Sequence, residues 1–154
     1  MSSDDGPGPE LSRRLGYLFK HAAARLEELH TQALAPFDVD ARELGVLLVL
    51  SGHEPASQQQ VAQRLGVDRT TMVALIDRLE DKGLVFRRPH AEDRRRNVID
   101  LTDHGKDTLR RATRASDDAE RALLAPLTSQ DRKRLRDTLQ LIVAQGNSDK
   151  TDRH

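Results

Sequence analysis

The chain contains no cysteine, and its aromatic residues are only Tyr17, Phe19, Phe37 and Phe86. Without cysteine there are no disulfides, no thiolate metal ligands and no thiol redox sensor. That lack fits a cytosolic protein. With so few aromatics the core must be aliphatic, and a stacking platform for single-stranded nucleic acid is not expected. Long apolar runs are also missing, since no stretch approaches the roughly 20 apolar residues of a membrane span. The start, MSSDDGPGPE, is acidic and rich in Gly and Pro, the opposite of a signal peptide. A soluble cytoplasmic protein is the expectation. Finally, there is no excess of one charge, because 25 basic residues face 25 acidic ones. A null total argues against a nucleic-acid partner. Its distribution argues the other way. Arg87, Arg88, Arg94, Arg95 and Arg96 crowd one stretch against only Glu92 and Asp93, while residues 1–10 hold Asp4, Asp5 and Glu10 and no base.

What is present is helical periodicity. The 154 residues suffice for one domain with a real core. Residues 1–10 read as disordered, and the tail from Gly146 to His154 as flexible. Leu11, Leu15, Leu18, Ala22, Leu26, Leu29 and Ala33 recur in steps of three and four and predict one helix over 11–34. At 1.5 Å per residue it spans about 36 Å, more than a small domain needs alone. Asp40 followed by Glu43 resembles a capping box, opening a helix with Leu44, Leu47 and Leu48 inward and Gly52 at its end. Ser57 caps a short helix over 58–65, and Gly66 supplies a left-handed turn. Asp68 caps another helix running to about Lys82, with Met72, Leu75, Ile76 and Leu79 as its apolar stripe. Two short helices joined by a tight Gly-containing turn suggest a helix-turn-helix. LVFRR and NVIDLT read as strands of a hairpin with a long charged tip, HAEDRRRN. Thr102 opens a further helix over about 103–124, and Thr128 or Ser129 caps the last, whose stripe is Leu135, Leu139 and Ile142.

On the second helix of the pair the inward stripe leaves Arg69, Thr70, Thr71, Ala74 and Arg78 on or near the outer face. Small side chains there let the backbone approach a DNA major groove, about 12 Å wide, and the arginines reach bases or phosphates from either end. Alone this is also the pattern of any solvated amphipathic helix. The hairpin tip shifts the balance, because arginine is favoured in a narrow minor groove. Asp93 and Glu92 do not suit DNA contact. They either hold an arginine in place or pin the tip to the helix. Ser57, Gln58 and Arg88 are further candidates for phosphate contacts.

In order and spacing, VAQRLGVDRTTMVALIDRLEDKGLV, DRRRNVIDLTDHG and LTSQDRKRL resemble the multiple antibiotic resistance regulator (MarR) family of winged helix-turn-helix regulators. The wing signature, Asp-x-Arg and then a strand ending Leu-Thr-x-x-Gly, is matched by Asp93-Arg94-Arg95 and by Leu101 to Gly105. The resemblance spans about residues 11–145. It implies a mainly α fold with a small β-hairpin wing, that is, a winged helix-turn-helix over 35–102 plus a helical dimerisation region over 11–34 and 103–145. It implies a homodimer joined through residues such as Leu11, Leu15, Leu18, Leu135, Leu139 and Ile142. Residues 68–82 would enter the major groove and the wing the minor groove of double-stranded DNA, on a near-palindromic operator. It further implies an ion pair of Asp68 with Arg95, which leaves Arg94 for the minor groove and Arg96 for a phosphate. Three adjacent arginines also allow a one-residue shift. Family members often bind a small anionic or aromatic effector between the dimer helices and the DNA-binding lobe, where Tyr17, His21, Phe37 and His53 are the candidates.

No catalytic constellation is expected, since there is no P-loop, GxGxxG, HExxH, GxSxG or cysteine nucleophile. The six histidines show no close ligand spacing, so no cofactor and no metal are expected. The expected function is a ligand-responsive repressor. The rival from another class is a helical ligand-binding or protein-docking module that does not read DNA.

Overall fold

The structure, a computed structural model, describes residues 6–52 and 54–152. Among these, six α-helices and one two-stranded antiparallel hairpin follow the order α1 (Leu15–Leu34), α2 (Ala41–Ser51), α3 (Gln58–Leu65), α4 (Arg69–Asp81), β1 (Val85–Pro89), β2 (Asn97–Leu101), α5 (Asp103–Leu123) and α6 (Ser129–Thr151). None of these helices is long and apolar enough to cross a membrane.

The helix starts follow the local chemistry. Asp40 accepts from the Glu43 N–H at 2.8 Å while Glu43 accepts from the Asp40 N–H at 3.2 Å, closing a capping box. Ser57 and Gln60 repeat the reciprocal arrangement at the start of α3. Thr102 and Thr128 each accept from the N–H three residues on. Gly66, at φ +67°, makes the left-handed turn between α3 and α4. β1 and β2 pair from Val85–Leu101 to Pro89–Asn97. Ile99 also donates its N–H to the Ala56 carbonyl at 2.8 Å, which adds a one-residue bridge to the hairpin.

The core lies in the middle of the chain. Met72, Leu75, Ile76 and Leu79 are all buried and pack with Leu34, Leu47, Val61, Val85 and Ile99. A buried carboxylate is built into this lobe. Glu43 meets Lys82 Nζ at 2.8 Å, and the same ammonium donates to the Asp38 carbonyl at 2.6 Å, tying the start of α2 to the end of α4. α1 packs along α5, and His30 Nε2 lies 2.9 Å from Ser116 Oγ between them.

Three expectations need correction. The first helix begins at Leu15, since Leu11–Arg13 form a separate 3-10 turn and Arg14 is extended at ψ 135°. Leu48 is exposed, and Val46 and Leu50 are buried in its place. α2 contacts α1, α3, α4, α5 and β2, so its buried arc is broad and leaves one open side, which Leu48 occupies. Thirdly, α6 runs through the segment expected as a flexible tail and ends at Thr151. A helical Gly146 costs only about 1 kcal/mol, and the hydroxyls of Ser148 and Thr151 bond back to the carbonyls of Ala144 and Asn147.

Candidate nucleic-acid interface

α4 presents two faces. The core holds its apolar stripe, which leaves Arg69, Thr70, Val73, Ala74, Asp77 and Arg78 exposed. Asp68 caps the helix by accepting from the Thr71 N–H at 2.7 Å and from the Thr71 hydroxyl at 3.0 Å. These two bonds, the backbone one first, hold the Asp68 carboxyl below the usual carboxylate range. Thr71 is consequently turned toward its own cap, while Thr70 and Ala74 face outward as expected.

The wing tip is folded by its own polar groups. Asp93 Oδ1 accepts from the Arg95 N–H at 3.1 Å, and its other oxygen lies 3.8 Å from Arg96 Nε. The Asp93 carbonyl accepts from the Arg96 N–H at 3.1 Å. The N–H groups of Glu92 and Asp93 both point at His90 Nδ1, at 3.1 and 3.3 Å. Asp93 is thus a brace for the turn itself. The expected pair of Asp68 with Arg95 is not formed: the Asp68 carboxylate accepts from Thr71, and the wing-tip ion pair is between Asp93 and Arg96. Among the described residues Arg94 and Arg95 have no ion-pair partner, and both side chains reach into solvent.

Between the wing and α3 lies an open cleft of about 1020 Å³. Arg64, Arg69, Arg95 and Arg96 line it together with Ser57, Gln58 and His90, against the one acid Glu54. Ser57 has its side chain in the α3 capping box, while Gln58 is half-buried beside it. Arg88 is placed differently from expectation. It lies 3.5 Å from Asp100 across the hairpin and so braces the strands.

A family model described as the MarR family matches residues 37–96. A solved structure titled as the transcriptional repressor CouR bound to a 23-mer DNA duplex is 35% identical, with a TM-score of 0.81, and the likeness covers 87% of this chain and 95% of that one. The chain belongs to the MarR family. A second structure, CouR from Rhodococcus jostii RHA1 bound to p-coumaroyl-CoA, is similar at 29% identity and a TM-score of 0.76, covering 86% of this chain and 93% of that one. The transcriptional repressor NicR of Pseudomonas putida is 26% identical over 96 residues, 62% of this chain and 61% of NicR. The chain spans between 43% and 66% of the length of curated relatives of this kind, less than two thirds. Family membership makes the protein a winged-helix transcription regulator and not an enzyme.

In this MarR-family chain, two residues at the interface were not legible beforehand. Arg87, on β1, reaches Asp77 at 2.8 Å and Glu80 at 3.0 Å, both on α4. The hydrogen bond to Asp77 foremost, and then the charge of Glu80, raise the guanidinium's pKa against the opposing effect of partial burial. Asp77 and Glu80, three apart on the outer face of α4, were the available signal. The second is Val73, 37% exposed in the middle of the outer face. Of the effector candidates, Tyr17 and His21 meet on α1 with ring centroids 4.1 Å apart, while Phe37 packs against the core away from them. His53 lies outside the described residues. No group of three or more His, Asp or Glu that could hold a metal occurs among the described residues.

Proposed function

We propose that the protein is a homodimeric, ligand-responsive repressor that binds a near-palindromic operator in the cytoplasm. The observation that carries the reading is the arginine-lined cleft between the wing and α3, with Arg69 of α4 on one side and Arg95 and Arg96 on the other. A DNA strand seated there would put α4 in the major groove and Arg94, which has no ion-pair partner among the described residues, in the adjoining minor groove. Arg95 and Arg96 then serve phosphates, and Gln58 adds a polar contact from α3.

The homodimer is supported by α6, none of whose residues is buried against its own chain. Leu15 at 69%, Leu141 at 72% and Ile142 at 57% exposure are too apolar to face water along two helices. Leu11, Leu18, Leu135 and Leu139 extend the same surface. Effector response is supported by the relative whose structure holds p-coumaroyl-CoA. A small anionic or aromatic ligand, free or as a thioester, is the class to test, with Tyr17 and His21 as its contacts.

A gel-shift with the DNA upstream of the protein's own gene tests the reading. A shift at low salt that weakens with Arg94→Ala, the dimer remaining intact, is the expected result. No shift at low salt would favour a helical module that does not read DNA.

A further inference from the structure

We infer that the outer face of α4 reads thymine methyl groups, with Val73 as the reading side chain and Thr70 and Ala74 flanking it. The inference rests on the DNA-binding reading above and names the chemistry that α4 recognises.

The orientation of α4 is settled by the core. Met72, Leu75, Ile76 and Leu79 are essentially inaccessible, so the helix cannot rotate to bury Val73. Thr70, Val73 and Ala74 stand at i, i+3 and i+4, which makes them neighbours on one surface patch. A β-branched residue in an exposed helical position weakens the helix relative to alanine. A local choice made against stability on an exposed face of this kind is where function is expected.

Two polar side chains near Val73 are already engaged, and the Thr70 hydroxyl lies at the edge of the patch rather than at its centre. Asp77, one turn beyond Val73 and Ala74, would be placed to accept from a cytosine amino group. Its carboxylate instead holds the Arg87 guanidinium at 2.8 Å. The Thr71 hydroxyl donates to Asp68. Arg69 and Arg78 sit at the two ends of the exposed face, suited to phosphates and flanking bases. The centre of the face is therefore methyl groups. In the major groove the one apolar group that an unmodified base pair displays is the thymine C5-methyl. Val73 would bury such a methyl between its own two, and Ala74 lets the backbone come close enough to do so.

The test starts by selecting duplexes from a random pool with the full-length protein at low salt. In the selected duplex each thymine is then replaced by deoxyuridine, which removes the methyl and leaves every hydrogen-bonding edge intact. One or two thymines in each half-site should lose about fourfold in affinity, the value of one buried methyl group. Val73→Ala, an exposed change that leaves the fold intact by circular dichroism, should bind thymine and deoxyuridine duplexes alike at those positions. An enriched duplex indifferent to deoxyuridine at every position overturns this inference alone. So does a Val73→Ala protein that keeps the full thymine preference. A pool with no enriched duplex overturns the DNA-binding reading and this inference together.

Discussion

Gly105 shows how one residue can be required by backbone proximity. A Cβ built at this position would lie 2.0 Å from the Leu84 carbonyl oxygen and 2.9 Å from its carbon. Those are backbone atoms, and Leu84 also accepts from the Thr102 N–H at 3.1 Å, so they cannot give way cheaply. Gly105→Ala should destabilise the fold by about 1–3 kcal/mol, the usual range for overpacking, measured as a lower urea midpoint. Thr102 works beside it. Its hydroxyl donates to the Gly83 carbonyl at 2.6 Å and accepts from the Gly105 N–H at 2.9 Å. Asp68 carries a different consequence. Folding lowers its pKa, so the unfolded chain binds the proton more tightly. The capping contribution is complete at neutral pH. It is lost as pH falls through the ordinary aspartate value, about 3.9, toward the lower folded one. Asparagine caps a helix without titrating in this range. The acid side of a stability–pH curve should therefore be flatter for Asp68→Asn than for the parent protein.

At the scale of elements, three ion pairs, made by Lys82 and Arg87, decide how the lobe is held. Glu43 is almost wholly buried, with Lys82 as its partner. Lys82→Ala would leave that carboxylate uncompensated in the core, at a cost of about 3 kcal/mol, readable by chemical denaturation. Arg87 joins the wing to α4 through Asp77 and Glu80. These contacts are partly exposed, so their loss should cost little stability. Its larger effect is on geometry, because in the proposed complex the wing and α4 would engage adjacent grooves at once. Arg87→Ala is expected to melt near the parent temperature and bind DNA several-fold more weakly. Arg87→Lys, which keeps the charge but not two fixed donors, should recover only part of the affinity.

The whole molecule reconciles zero net charge with a nucleic-acid partner. Arginines gather around one cleft, while much of the acid forms short pairs along the helices, such as Asp107 with Arg110 and Asp137 with Lys133. Binding should therefore fall steeply with salt, by nearly one unit of log–log slope for each phosphate contact. A titration against duplex DNA from low to moderate salt checks this, and Arg96→Ala should reduce the slope by about one. The apolar faces of α1 and α6 belong to the same scale. A charge placed among them, as in Ile142→Asp, should shift the protein to a monomer by light scattering and weaken operator binding, while circular dichroism stays helical.

The helices were legible because their causes are local. A cap acts over three residues and an apolar stripe over three or four, so Asp40, Ser57, Asp68, Thr102 and the Met72–Leu79 stripe announced α2 to α5 without knowledge of the fold. The wing's charge was legible for the same reason, and so was the likeness to the family. Pairings between elements were not. Asp68 kept its own Thr71, Arg87 rather than Arg95 tied the wing to α4, and Arg88 turned to Asp100. Which acid meets which base depends on where β1 passes α4, and several arginines compete for few carboxylates. Leu48, expected inward, is exposed, and the exposure of Val73 was not foreseen, since helical period marks a stripe but only the neighbours set how wide its buried arc becomes. By itself the sequence determined most of the elements, though not the start of α1 or the end of α6, and the chemistry available to them. The tertiary structure alone decided which groups that chemistry joins and which it leaves free for DNA.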